Sequence, residues 1–266
     1  MGMRPLVSVI MPSYNAERHI AESIRSVQAQ TMGDWELLVS DDCSTDGTRS
    51  VVEGIAVEDC RVRLLPLEEN SGAAVARNNS LSHARGRYIA YLDADDLWYP
   101  EKLERQISFM EERGVAFSCA SYEVIGEDGN PLGREVRMLD RCDYMGFLTH
   151  NLLQTVGIVI DVFAVDRSLL VMPDIKRRQD AATWLQVLKA GFDCYGIPEV
   201  LGGYRRVANS LSSNKVKAAK GVWHLYRKIE RLSLSTSVYC FMRYVALAVW
   251  KRTYTESPHR RTGETQ

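Results

Sequence analysis

Three carboxylates, Asp93, Asp95 and Asp96, stand at the end of an apolar run, Tyr88-Ile89-Ala90-Tyr91-Leu92. Like charges packed this closely repel and resist ionisation, so the cluster needs compensation. A hard divalent cation, Mg²⁺ or Mn²⁺, supplies it: such ions take carboxylate oxygens and complete their coordination with substrate phosphates. The chemistry this pattern points to is a metal–diphosphate site at the carboxyl end of a strand. A solvated acidic turn is the plainer alternative. A second pair, Asp41-Asp42, closes another apolar run, Trp35 to Ser40, and is followed by Cys43-Ser44-Thr45-Asp46-Gly47. A third run, Leu6 to Met11, ends in Pro12-Ser13-Tyr14-Asn15. Three strands that each finish in polar, turn-forming residues point to one place, because open α/β sheets bind ligands outside the carboxyl ends of their strands.

The elements needed to position these residues are legible in the first half of the chain. Ile20, Ile24 and Val27 recur at helical spacing after the first strand. Val51, Val52 and Ile55 do so after the second, where Ser44 to Asp46 offers capping side chains. A short strand is expected at Val62–Leu65, a helix over Ala73–Ala84 behind Asn70-Ser71-Gly72, and a helix opened by Pro100. The alternation predicts an α/β fold: a mainly parallel mixed sheet sandwiched by helices. The second half is less regular. Val115–Ile125 and Val156–Val162 read as strands, with a turn at Asp128-Gly129 between them. Asp180–Leu188 reads as a helix stopped by Gly191, and Tyr195 and Val200–Tyr204 as two short strands.

The chain has 266 residues and a net charge of −1, and 45% of it is hydrophobic, which suits one α/β domain with a small appendage and gives no bulk field for nucleic acid. Six cysteines are scattered with no C-x-x-C pair, which argues against a zinc site and for a reducing cytoplasm. The chain runs from Met1 into a strand with no charged-then-apolar leader, and no stretch approaches the ~20 apolar residues of a spanning helix.

These motifs together resemble family-two nucleotide-diphospho-sugar glycosyltransferases of the type A fold, in the branch that builds bacterial surface polysaccharides, teichuronic-acid-type enzymes included. The carrying residues are Val7–Asn15, Asp41–Thr48, Asn70-Ser71-Gly72 with Ala76-Arg77-Asn78, Asp93-Ala94-Asp95-Asp96, and Arg178-Gln179-Asp180 through Trp184. The resemblance covers roughly residues 5–215. The resemblance implies that Pro12, Tyr14, Asn15, Asp41, Asp42, Arg77, Asp93, Ala94 and Asp95 hold a UDP-sugar. Tyr14 would lie on the uracil face and Asp42 would accept its imide N–H, while Asp41 supports the loop. Asp95, with Asp93, would ligate Mn²⁺ or Mg²⁺. Asp180 would be the base that deprotonates an acceptor hydroxyl, giving direct displacement with inversion. Gln179 stands where the commoner pattern has Glu, leaving Asp180 the only carboxylate there. Asp96, Arg178, Trp184, Arg205 and Lys215 are further candidates, the basic ones, with Arg177 and Arg206, for a diphosphate or an anionic acceptor.

Three other readings compete. A phosphotransferase would place a nucleophilic aspartate at the end of the first strand, where Pro12-Ser13-Tyr14-Asn15 stands. A dinucleotide-dependent dehydrogenase would carry G-x-G-x-x-G there. A non-catalytic sugar-binding relative would lack Asp95 or Asp180, and both are present. The expected organisation is a catalytic domain over residues 1–213, basic amphipathic helices over 214–254 and a disordered tail over 255–266. Within the second segment Val238, Phe241, Met242, Val245 and Val249 share a helical stripe. This suggests either peripheral contact with a membrane, whose inner face would also present a polyprenyl-linked saccharide acceptor, or packing on the catalytic domain or a partner.

Overall fold

The computed structural model describes residues 4–150, 152–175, 177–206 and 215–254, with side chains for all of these except 215–218 and 248–254. The expected tail over 255–266 lies outside the described residues. The first half alternates as the sequence pattern requires: β1 (Val7–Ser13), α1 (Ile20–Gln28), β2 (Trp35–Asp41), α2 (Thr48–Glu58), β3 (Val62–Pro66), α3 (Ala73–His83) and β4 (Tyr88–Tyr91). Then come β5 (Leu97–Trp98), α4 (Lys102–Arg113), β6 (Phe117–Ile125), β7 (Pro131–Val136), β8 (Arg141–Cys142), α5 (Tyr144–Thr149), β9 (Ile158–Asp161), α6 (Gln179–Lys189), β10 (Cys194–Arg205), α7 (Lys215–His224) and α8 (Leu234–Tyr254).

The ten strands among the described residues join one mixed sheet in the order β3-β2-β1-β4-β9-β6-β10-β5, with β7 on β6 and β8 on β10. The β3-β2-β1-β4 half is wholly parallel, and β9 enters antiparallel between β4 and β6. Every residue of β2 is buried, as expected for a parallel strand covered on both faces. Its polar side chains are therefore paired. Ser8 donates to Glu36 at 2.7 Å, Glu36 also accepts from the Arg85 guanidinium, and Ser40 meets Ser80 at 2.7 Å. These bonds hold the Glu36 carboxyl below its ordinary pKa, against the burial that pushes it up.

Three departures from the sequence pattern have local causes. The two short strands expected at Tyr195 and Val200–Tyr204 are one strand, β10, whose register slips on β6 between Ile197 and Val200 and again before Gly203. Pro198, which has no N–H to give to a ladder, sits in the first slip. The hairpin strand β7 was not foreseen, because its Pro131-Leu132-Gly133-Arg134-Glu135 is exposed throughout and shows no apolar alternation. The expected 156–162 strand begins later, at Ile158, because Thr155–Gly157 form a 3-10 turn.

Trp184 requires a correction. It is completely buried, edge-on to Tyr91 at 5.1 Å between ring centroids and 6.1 Å from Phe117, so it is a core residue of the α6–sheet interface and not a ligand contact. The helical spacing that placed it beside Asp180 also places it on the inward face. Trp184→Ala should therefore lower the free energy of unfolding by about 3–5 kcal/mol, read as a lower urea midpoint. A ligand-contacting tryptophan would instead change ligand affinity and leave the midpoint in place.

Candidate active site

β1 lies between β2 and β4 and runs parallel to both. Ser13 stands opposite Asp41, and Ile10 opposite Tyr91. The loops after the three strands therefore open on one edge of the sheet, as the motifs required. The first two loops are laced together. The Asn15 side chain accepts from the Thr45 N–H at 2.8 Å, and the Asn15 N–H donates to the Ser44 hydroxyl at 2.9 Å. Asp41 is fully buried and accepts from Arg49, Ser44 and Ser13, which keeps its carboxyl below the ordinary range despite the desolvation that raises it. Asp42 is nearly buried, and its two oxygens accept from the N–H groups of Ser71 and Gly72 at 2.7 and 2.8 Å, fixing the entry to α3. Pro12 is half-buried in β1, whereas the Tyr14 ring is 51% exposed at the mouth of these loops. Asn15, Cys43 and Arg178, three of the four non-glycine residues with positive φ among those described, all lie in loops flanking this edge. Such backbone is costly and persists where the surroundings over-determine it.

The third loop carries the acidic cluster. Asp93 is ion-paired to Arg77 of α3, and the Arg77 side chain is only 8% exposed. Arg77 is thus not a solvated helix residue but the buried counter-charge of the cluster, and its Nε has no partner. The Ala94 methyl is buried and its carbonyl accepts from Ser23 of α1 at 2.9 Å. Asp95 is half-buried, and burial first, then the Asp93 charge, push its pKa up to about 6. Asp96 is almost wholly buried, accepts the Arg205 N–H at 2.8 Å and is pushed well above the usual range by burial and by both neighbouring carboxylates. Asp96 is accordingly a structural residue of the loop and not an open ligand position.

Arg205 also needs correcting. Its side chain is fully buried; it donates to the Asp95 carbonyl at 2.6 Å and the Glu127 carbonyl at 2.9 Å, and pairs with Glu22 at 2.7 Å. It clamps the back of the acidic loop to β10 and α1 and has no free edge for a diphosphate. Glu22, Ser23 and Arg49 were missed in the sequence, where each looks like an ordinary polar position of an amphipathic helix; only the sheet order brings them here.

Do the acidic residues suit a divalent cation? The donor set is hard oxygen, Asp93 and Asp95 are two residues apart on one loop, and the Asp93 charge adds to burial in raising the Asp95 pKa. Among the described residues no group of three or more His, Cys, Asp or Glu side chains is arranged to hold a metal alone. Two carboxylates fit an ion that takes its remaining ligands from phosphate oxygens and water.

Asp180 lies in the first turn of α6 and acts electrostatically on Arg77, as Asp93 does. Arg77 thus links the α6 N-terminus to the acidic loop. Arg178, two residues earlier, has its Nη2 3.5 Å from the Tyr244 hydroxyl of α8. Lys215 opens α7, but its side chain lies outside the described residues.

Comparison with known proteins agrees with this geometry. Residues 8–170 match the glycosyl transferase family 2 profile, and the chain belongs to that family. It is 47% identical over 249 residues to TuaG of Bacillus subtilis (strain 168), a protein designated a teichuronic acid biosynthesis glycosyltransferase, with 94% of this chain and 98% of that protein covered. It is 38% identical to WfgD of Escherichia coli, named as a UDP-Glc:alpha-D-GlcNAc-diphosphoundecaprenol beta-1,3-glucosyltransferase, over 94% of this chain and 96% of that one. The fold is the type A glycosyltransferase fold of S. aureus TarS, solved with UDP-GlcNAc (TM-score 0.68, 19% identity, 91% of this chain and 72% of that chain). It is also that of the mannosyltransferase PcManGT of Pyrobaculum calidifontis, solved with GDP-Man and Mn²⁺ (TM-score 0.68, 19% identity, 96% of this chain and 77% of that chain).

The raised Asp95 pKa has a defined sign. A folded acid with a pKa of about 6, against 3.8 ordinarily, binds protons more tightly in the fold. Its contribution therefore stabilises the metal-free protein as pH falls from 7 through about 6. His19, whose pKa is lowered chiefly by burial, contributes the opposite slope below 6.5. Asp95→Asn should remove the Asp95 slope and keep that of His19. Urea unfolding of both proteins between pH 7.5 and 5 without divalent ions measures the difference, which should favour the parent increasingly as pH drops.

Proposed function

We propose that this glycosyltransferase moves a hexosyl group from a UDP-sugar to a saccharide carried on a polyprenyl diphosphate, with inversion at the anomeric carbon, during cell-surface polysaccharide synthesis. The observation that carries the mechanism is the place of Asp180 in the first turn of α6, a different element from the acidic loop whose Asp93 pairs with the buried Arg77. It sets one carboxylate beside the acidic loop without making it part of that loop. The substrate classes come from the relatives: a teichuronic acid enzyme by name, and a transferase named for a UDP-glucose donor and a diphosphoundecaprenol-linked acceptor.

In this reading the exposed Tyr14 ring stacks on the base. The Asn15–Thr45 and Asp42–Ser71–Gly72 bonds hold the loops that surround it. Asp42 keeps lone pairs for a base N–H beyond the two backbone donors it already accepts from. Asp93 and Asp95 would hold Mn²⁺ or Mg²⁺, which when bound neutralises charge on the leaving diphosphate. Arg77 holds Asp93 in place and balances part of the cluster's charge. Asp180 takes the proton from the acceptor hydroxyl as its oxygen attacks the anomeric carbon. Its partner positions on α6 offer no second carboxylate, since Gln179 precedes it. Displacement from one side, with no enzyme nucleophile between, leaves the product inverted.

Asp180→Asn keeps the size of the side chain and removes the base. Turnover should fall about 10²–10⁴-fold, while UDP affinity measured in Mn²⁺ stays at the parent value. Proton NMR of product formed by the parent early in the reaction should give the anomeric configuration opposite to the donor's. Full turnover by the variant, or retention in the product, would contradict the assignment.

A further inference from the structure

The C-terminal helix has two faces of different character. Its inner face packs on the molecule: Ser237 and Cys240 are completely buried, Phe241 meets Trp223 edge-on at 5.6 Å between centroids, and the Tyr244 hydroxyl lies 3.5 Å from Arg178. Phe241 therefore leaves the stripe in which its spacing had placed it. The outer face carries Leu234, Val238, Met242 and Val245, exposed by 60, 46, 64 and 40%. At 100° per residue these four fall within one narrow arc, and none of the described residues covers it.

Charge decides what suits this face. Residues 215–254 contain a single acid, Glu230, and it is consumed internally: its side chain is 3% exposed, pairs with Lys189 and accepts from Tyr144. The neighbouring cations are exposed, namely Lys228, Arg231 and Arg243. Arg243 donates to the Tyr239 hydroxyl at 3.1 Å, so an aromatic ring and a guanidinium stand together at the edge of the apolar arc. An apolar strip bordered by aromatic and basic side chains matches the section of a lipid interface, acyl chains within and anionic headgroups beside them. A second copy of the chain fits less well, because two such faces would bring cations together with no acid on the helix to receive them. Among the described residues no helix is long and apolar enough to cross a membrane.

We propose that the outer face of α8 is a docking surface for an anionic lipid bilayer, with Leu234, Val238, Met242 and Val245 entering the acyl boundary and Lys228, Arg231 and Arg243 meeting headgroup phosphates. This deepens the function proposed above, which needs a lipid-borne acceptor, but it is tested without donor or acceptor, so failure of one leaves the other standing.

The test is flotation of the full-length protein with vesicles of equal parts phosphatidylcholine and phosphatidylglycerol, and with phosphatidylcholine alone. The parent should float with the anionic vesicles, less so with the neutral ones, and less again as salt rises. The double variant V238E/M242E should lose about tenfold or more in partition, with its circular dichroism unchanged because neither side chain packs inward. R231Q/R243Q should lose the preference for anionic over neutral lipid. Equal partition of parent and V238E/M242E would overturn the proposal, as would no binding of the parent. A parent dimer that V238E/M242E splits into monomers in sedimentation, without lipid, would assign the face to self-association instead.

Discussion

Carboxylates held at the end of a buried strand repel one another more strongly than they would in water, and the rest of this site is arranged around that constraint. Asp93 is answered by a buried guanidinium, Arg77. Asp95 and Asp96 are answered from behind by Arg205, which spends its donors on the loop backbone, on Asp96 and on Glu22. Asp95 stays half-buried, and burial first, then the Asp93 charge, raise its pKa to about 6. The fold thus holds a local excess of negative charge in a place open to a ligand, an arrangement that costs stability and is sustained only because the strand, α1 and β10 over-determine the loop.

The same logic separates residues that hold from residues that meet a ligand. Asp41, Asp96 and Arg205 are buried and engaged within the protein, and Trp184 is buried in its core. Tyr14, Asp93, Asp95 and Asp180 keep part of their surface open. Arg77 mediates between them, facing Asp93 directly and Asp180 through space. Just before α6, the Arg178 guanidinium lies 3.5 Å from the Tyr244 hydroxyl of α8.

Much of this was legible because the signals were local. Strand ends marked by Asp41-Asp42 and Asp93–Asp96 are read from apolar runs that stop at charge, and a parallel βα alternation fixes where such ends gather. What was not legible depended on distance in sequence. Glu22 and Arg205 are partners across the whole domain, and no spacing announces them. Arg205 reads as a ligand contact in the sequence because a basic residue at a strand's end looks the same whether its guanidinium faces solvent or a carbonyl. Trp184 illustrates the opposite error: it stands one helical turn from Asp180 on nearly the same face, and only the packing of α6 on the sheet shows that this turn is buried in the core. The bulge in β10 and the exposed strand β7 escaped because neither leaves an alternating pattern.

The central claim is that the loops after β1, β2 and β4 form one metal-dependent site for a uridine nucleotide. Calorimetric titration with UDP, ADP and GDP, each with and without Mn²⁺, tests it most directly. The account expects UDP to bind in the presence of Mn²⁺, with at least about tenfold preference over ADP and GDP, and to bind weakly without the ion. UDP affinity that ignores Mn²⁺, or equal affinity for all three nucleotides, would contradict it and return the acidic loop to a purely structural role.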